Sequence, residues 1–288
     1  MINNSINHCF NLAARDSRRF FFKLSVLLIV CLQCYAIALP ASAHEFWIEP
    51  ESFRPQAGVP FDVRVLVGQD FNGDGVIFLP ETFERFETVT TRGKQKVNGT
   101  PGDDPAGHIT PTETGSLLVA YQSTRFSLSM DAKTFEGYLK KEGLEDIRIL
   151  RSNAGKSGKP ANEVYTRFAK SLLAVGGQSN GLDSSRPLGL RFEIVPITHV
   201  YRQTAGQPGE MEVQLLYENQ PLANVQIEAF SKKNMTTRLL QRTDQVGRAR
   251  FTLPHGGVWL LNAVHMIPAP SSANAEWESF WASFTFQW

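Results

Sequence analysis

Only three of the 288 residues are cysteine, and all three, Cys9, Cys31 and Cys34, lie within the first 43 residues. Those 43 residues have the composition of a removable export signal. Once they are removed, the remaining chain can form no disulfide bond and offers no thiolate to a metal ion. Any metal site in it must therefore use nitrogen and oxygen donors.

Long apolar runs and an excess of one charge are also missing. The longest apolar run, residues 24–39, is shorter than the roughly 20 residues that a membrane-spanning helix needs. We therefore expect a soluble mature protein with no transmembrane helix. The chain has 29 basic and 28 acidic residues, of which four and one lie within the first 43 residues. This balance argues against nucleic acid as a partner.

Residues 1–43 predict a cleaved signal peptide. Basic residues precede the apolar run, and the small residues 41–43 follow it as a cleavage site. The pair Arg18 and Arg19 is similar to the twin-arginine export signal, whereas the strongly apolar residues after it favour the ordinary Sec route. Either route leads to the periplasm, and cleavage after Ala43 makes His44 the first residue of the mature chain.

Alternation of apolar and polar residues predicts a mainly β fold. Strand patterns occur at 61–67, 116–121 and 125–130. Two helices are predicted to follow them, one that Asp131 caps and Gly143 ends, and one over 163–175. Residues 44–195 are therefore expected to form an N-terminal β-rich domain with two inserted helices.

The segment 196–288 predicts a C-terminal β-sandwich domain. Its strand patterns are separated by turn residues and lie at 211–217, 225–230, 248–253, 258–266 and 280–288. One face of the last strand is made of Ala282, Phe284, Phe286 and Trp288, and we predict that this face lies in the core.

Several segments resemble a known family. The start of the mature chain, His-Glu-Phe-Trp-Ile-Glu-Pro at 44–50, and the segments 67–71, 138–144 and 165–172 are similar to an uncharacterised family of bacterial periplasmic proteins. Its members are commonly labelled as periplasmic components of nickel or cobalt uptake systems. The segment 220–259 resembles transthyretin-like or carboxypeptidase-regulatory modules. The resemblance implies an Ig-like or transthyretin-like sandwich at the carboxyl end and a role in metal uptake.

His44 is the first candidate metal ligand. As the first residue of a cleaved chain it would supply two donors, its α-amine and its ring Nδ1, and a second imidazole would complete a site with three nitrogens. Such a site suits Cu(II) or Ni(II), and the family resemblance adds cobalt as a further transition metal ion. The amine has an ordinary pKa of about 7.7 to 8.0, so the metal would displace its proton readily. The alternative is a histidine that merely packs or stays solvated.

The second ligand is predicted to be His265, with His108 next in rank. His265 follows Trp259 in an apolar strand, where a neutral imidazole needs a polar partner, and sequences of the resembling family often carry a histidine after such a strand. A core histidine bonded to a backbone carbonyl is the competing interpretation. His108 lies in a loop rich in glycine and aspartate.

A calcium ion is a further, less favoured cofactor. Asp70, Asn72, Asp74 and Glu81 occupy positions 1, 3, 5 and 12 of a calcium loop, and Gly75 occupies position 6. A strand precedes this loop, where a calcium loop would follow a helix. The alternative of a solvated turn between two strands is therefore preferred.

The sequence thus predicts a non-enzymatic, periplasmic protein that binds nickel, cobalt or copper for uptake, delivery or storage. A metal-uptake permease or an outer-membrane receptor system is the expected partner. Two alternatives stay open. One is a histidine-brace copper monooxygenase or oxidase, and the other is a non-catalytic β-sandwich module that binds carbohydrate or protein.

Overall fold

The described residues, 45–203, 206–235 and 237–288 of a computed structural model, are mainly β. The helices are α1 (Ala132–Lys141) and α2 (Glu145–Asn153). The strands are β1 (Glu45–Pro50), β2 (Phe61–Gln69), β3 (Asn72–Val76), β4 (Phe83–Thr90), β5 (Gly93–Lys96), β6 (Gly107–Ile109), β7 (Gly115–Ser123), β8 (Phe126–Met130), β9 (Ala161–Val175), β10 (Phe192–Pro196), β11 (Gly209–Tyr217), β12 (Gln220–Pro221), β13 (Gln226–Ser231), β14 (Arg238–Arg242), β15 (Arg248–Leu253), β16 (Val258–Pro268) and β17 (Trp277–Gln287).

Within the described residues these strands form three sheets. The central sheet has the order β14-β13-β16-β17-β9-β7-β4-β5, and β8 continues along β9 beside β7. The front sheet has the order β1-β2-β3 with β6 on β2, and the back sheet has the order β10-β11-β12 with β15 on β11. All pairings are antiparallel except that between β9 and β17. No helix of the described residues is long and apolar enough to cross a membrane.

The central sheet is covered on both faces. Its back face carries Phe280, Phe284 and Trp259, which pack in one core with residues of the back sheet such as Phe251. Its front face is covered partly by the front sheet and partly by the two helices, whose apolar residues pack against β16 and β17. Because neighbouring side chains of a strand point to opposite faces, β17 must be apolar or partnered at every position.

The helix predicted over 163–175 is wrong, because these residues form the strand β9. Val164, Phe168 and Leu172 are spaced by four residues, which suits one face of a helix but also one face of a strand. The strand is buried on both faces from Phe168 to its end, so its sequence is nearly continuously apolar. Such a run has no period that separates a buried strand from a helix.

The other helix prediction is confirmed. Asp131 caps α1, because its Oδ1 accepts a hydrogen bond from the backbone N–H of Thr134 at 3.0 Å. Gly143 takes a positive φ of 68° just after the helix, where a Cβ would be strained. The second helix of this region is α2, which starts two residues later.

The C-terminal strand predictions are confirmed, with β15 at its predicted bounds. Ala282, Phe284, Phe286 and Trp288 are all buried, as expected of a core face. The domain boundary predicted after residue 195 falls within β10. The central sheet takes strands from both sides of that boundary, so the two predicted segments share one sheet.

A buried ion pair joins the central sheet to the back sheet. Lys170 of β9 lies 2.7 Å from Glu193 of β10, and each side chain is only 1% exposed. The Glu193 carboxylate also accepts hydrogen bonds from the backbone N–H groups of residues 188–190. The pair therefore fixes the loop that leads into β10.

We predict that Lys170→Met lowers the free energy of unfolding by about 3–5 kcal/mol, because it leaves a buried carboxylate without its cation. Urea denaturation at pH 7 measures this loss. Arg92→Gln is the matched control, since Arg92 pairs with Glu113 while 62% exposed, and should cost less than about 1 kcal/mol. Equal losses for the two variants would show that the buried ion pair contributes no more to the free energy of unfolding than the exposed one.

Candidate functional site

His44 lies outside the described residues, as does the whole predicted signal peptide. The structure begins at Glu45, which His44 precedes by one peptide bond in the sequence. The surroundings of Glu45 are therefore the part of the predicted site that can be described.

His108 lies on β6 of the front sheet, where its side chain is exposed. Its Nδ1 is 2.7 Å from Oδ1 of Asp62, the residue opposite it on β2. Both side chains are about half exposed. This is a cross-strand pair on a solvated surface of the front sheet.

His265 lies on β16, on the opposite side of the central sheet from the front sheet. Its ring packs edge-on against Tyr217, with 4.8 Å between the centroids, and lies near Phe192 and Phe280. Burial, and secondarily the charge of Arg191, lowers the pKa of His265 to about 4. The imidazole is therefore neutral at pH 7, which is the form that binds metals.

The structure does not bring His108 and His265 together, because they lie on different sheets and face different surroundings. His265 borders a cleft of about 630 Å³, which also includes Gly143, Asn224 and Arg242. Within the described part of the chain, no group of three or more histidine, cysteine, aspartate or glutamate side chains is positioned to hold a metal ion.

The segment predicted as a possible calcium loop forms a β-hairpin. Asp70 and Phe71 both have positive φ angles, 57° and 61°, as the central residues of a type I′ turn do. Asp70 pairs with Arg238, and Asp74 lies on β3. The chain here runs straight along a strand and does not wrap around a central point, which agrees with the preferred interpretation as a turn.

Four carboxylates that the sequence analysis did not single out lie on the front face of the central sheet. We call Glu45, Glu142, Glu163 and Glu228 the buried acidic cluster, since each is at most 6% exposed. Glu45 begins β1, Glu142 follows α1, Glu163 lies on β9 and Glu228 lies on β13. Their positions in the sequence are too far apart for any local pattern to reveal them.

Few cations balance this cluster. Lys141 Nζ lies 2.9 Å from Glu45 Oε1 and 3.8 Å from Glu142 Oε1, and Arg238 contacts Glu228 at 2.5 Å. Among the described residues, Oε2 of Glu45 and Oε1 of Glu142 are buried without accepting any hydrogen bond. A buried polar atom without a partner is costly to the fold and points to a missing ligand or water.

Burial raises the pKa values of Glu142, Glu163 and Glu228. The pKa of Glu142 rises to about 8, because desolvation and the neighbouring Glu228 and Glu45 outweigh the attraction of Lys141. Burial also raises the pKa of Glu228 to about 7 and that of Glu163 to about 8. These carboxyls therefore hold protons near neutral pH that an arriving cation would displace.

Tyr138 of α1 connects the two ends of the cluster. Burial raises the pKa of its hydroxyl well above the ordinary value, and the nearby Glu163 and Glu142 raise it further. Its ring stacks on Trp281 of β17, with centroids 5.5 Å apart and planes 14° from parallel. This stacking holds the end of α1 against the sheet and so fixes Glu142 near Glu45.

One sequence signal for this site was available. Glu45 directly follows the predicted first residue and is the lone acid before the apolar Phe46, Trp47 and Ile48 of a buried strand. A charged residue at a buried strand position must find a partner. The partner, Lys141 at the end of α1, could be known only from the fold.

Comparison with known proteins gives a family but little else. A family model described as "Domain of unknown function (DUF4198)" matches residues 41–267. No curated protein matches the chain. Among solved structures, the "D0-D1 domain of Intimin" is similar at 11% identity and a TM-score of 0.20, over 84% of this chain and 97% of that one. A tetra-tandem repeat from the extending region of a large adhesion protein is similar at 12% identity and a TM-score of 0.20, over 85% of this chain and 49% of that one. At such TM-scores these likenesses carry no argument.

We predict that the buried acidic cluster makes the metal-free protein less stable as the pH rises. A carboxyl with a folded-state pKa of about 8 keeps a proton that the unfolded chain loses above about pH 4.5. The free energy of unfolding should therefore fall between pH 5 and pH 8, by about 1.4 kcal/mol per pH unit for each such group.

Glu142→Gln isolates this effect, because the amide is a neutral substitute for the protonated acid. The variant should be more stable than the wild type at pH 9 and should show a flatter pH dependence in urea denaturation. Glu81→Gln, at an exposed turn position, should follow the wild type. Parallel curves for Glu142→Gln and the wild type would contradict the assigned protonation.

Proposed function

The chain belongs to the family described as "Domain of unknown function (DUF4198)", and on that premise we propose that it is an exported protein that binds nickel, cobalt or copper through His44. The observation that supports this proposal most is the setting of Glu45. The residue next to His44 is buried in an acidic cluster with carboxylate oxygens that accept no hydrogen bond within the described residues.

The donor set fits a transition metal ion. A mature His44 contributes the α-amine and the ring Nδ1. Glu45 and Glu142 each offer a buried oxygen that accepts no hydrogen bond within the described residues. Nitrogen together with carboxylate oxygen suits divalent Ni, Co and Cu. Because the described residues alone form no site, both His44 and its cleavage are required by the proposal.

The raised pKa values of Glu142 and Glu228 support a cargo role. At neutral pH Glu142 is largely protonated and Glu228 about half protonated, so binding of a cation would release protons, and a fall in pH would favour its release. We therefore propose uptake, delivery or storage, with transfer to a permease or a receptor system, and no catalysis.

The first test is the cleavage itself. We expect the protein recovered from the periplasm of an expressing bacterium to begin at His44, since the signal ends in small residues at 41–43. N-terminal sequencing or intact-mass measurement gives the answer. A mature chain that begins at any other residue would remove the amine from the proposed site and refute the site as stated.

The second test is metal titration of the mature protein by calorimetry with Cu(II) and Ni(II). A variant with one extra alanine before His44 should lose at least about tenfold in affinity, because the chelate needs the free amine. Glu142→Gln should bind more weakly and release fewer protons, which titration in buffers of different ionisation enthalpy measures. Glu81→Gln is the control and should bind as the wild type does.

The same titration tests the two histidines predicted as second ligands. If His265 or His108 completes the site, His265→Asn or His108→Gln should lose affinity as strongly as the extended variant does. The positions of their rings lead us to expect changes of less than about twofold. Undiminished affinity of the variant with the extra alanine would overturn the proposed function.

A further inference from the structure

Arg167 of β9 has an unusual environment for a cation. Its guanidinium carbon lies 5.1 Å from the ring centroid of Phe46 and 5.0 Å from that of Tyr165. Within the described part of the chain the guanidinium makes no ion pair, and Arg167 donates a hydrogen bond only from its backbone N–H, to Ser123 Oγ at 2.9 Å. Five side-chain N–H donors are thus left without a protein acceptor.

Arg151 is a buried arginine of the same chain whose guanidinium nitrogens all bond to protein groups. It also packs on an aromatic ring, that of Phe135, but it contacts the carboxylates of Glu136 and Glu276. Its remaining donors bond to the carbonyls of Lys156 and Lys159. Arg151 is fully buried, whereas Arg167 is partly exposed and has no protein acceptor for its guanidinium among the described residues.

The nearest acid does not neutralise Arg167. Glu163 lies on the same strand and the same face, yet burial raises its pKa to about 8 in spite of the attraction of Arg167. Burial also lowers the pKa of Arg167 itself. At neutral pH Glu163 therefore does not serve Arg167 as a counter-ion, and the guanidinium is left available to an anion.

The site is also open to solvent. Tyr165 and Arg167 are both partly exposed, as is Phe126, whose ring stacks on Tyr165 at 5.6 Å. Arg167 lies where the neighbour of β9 changes from β7 to β8, so its backbone N–H bonds to a side chain and not to a strand.

We propose that Arg167, held between Phe46 and Tyr165 without a counter-ion, binds a small carboxylate ligand. The fork of the guanidinium matches the two oxygens of a carboxylate. The proposal names a carboxylate over a phosphate because a planar carboxylate can lie wholly in the plane of the fork, whereas a tetrahedral phosphate cannot. The proposal does not depend on metal binding at His44, because its ligand contacts different side chains.

The test is calorimetric titration of the metal-free protein with succinate and, separately, with inorganic phosphate. The metal is removed on a chelating resin, since a soluble carboxylate chelator would itself compete. We expect succinate to bind, Arg167→Gln to weaken it at least tenfold, and Arg167→Lys to weaken it less because the charge remains while the fork is lost. Arg92→Gln is the control. Arg92 lies in the turn between β4 and β5 and forms an exposed ion pair with Glu113, so this variant should bind succinate as the wild type does.

Thermal denaturation separates binding from a structural role. Without succinate, Arg167→Gln should melt at about the same temperature as the wild type, because within the described residues the guanidinium makes no ion pair or side-chain hydrogen bond that the substitution would remove. Succinate should raise the melting temperature of the wild type alone. The proposal is refuted if succinate fails to bind, if phosphate binds in its place, or if both Arg167 variants bind succinate as the wild type does.

Discussion

The burial of the central sheet on both faces is the constraint on which the rest of this structure depends. The back face meets an almost wholly apolar layer, whereas the front face meets the front sheet in one part and the helices in another. Where the front sheet adjoins the helices, polar residues are buried together with apolar ones. The buried acidic cluster lies on this face, and so does Arg167, which is paired with Trp281 in the register of β9 and β17.

This arrangement places an excess of carboxyl groups and an unpaired guanidinium on the same face of the central sheet. On the side of α1, several carboxyls share few cations and retain protons. On the side of β8, the guanidinium of Arg167 makes no ion pair within the described part of the chain, although Glu163 attracts it. Both environments cost stability that a fold of this size could recover by simple substitution.

Much of the fold could be predicted from the sequence, and little of the site. Strands with one exposed face alternate clearly, so β15 was located to the residue, and the cap at Asp131 identified α1. The pattern failed at β9, where Phe168 to Val175 is buried on both sides and has no distinguishing period. The acidic cluster was missed for another reason, because its members are joined only by tertiary contacts. His44 was prominent in the sequence, but its partners are still a prediction.

The pairing of β9 with β17 has a consequence for the order of events during synthesis. β17 lies in the middle of the central sheet, yet Glu163 meets its neighbour Trp277 more than a hundred residues later. Until β17 has been made, β9 and β16 each present an unpaired apolar edge, which favours association with other chains. Long-range pairing of this kind also closes slowly. A chaperone that covers the unpaired edges of β9 and β16 would therefore assist this chain more than one that acts on the completed sheet.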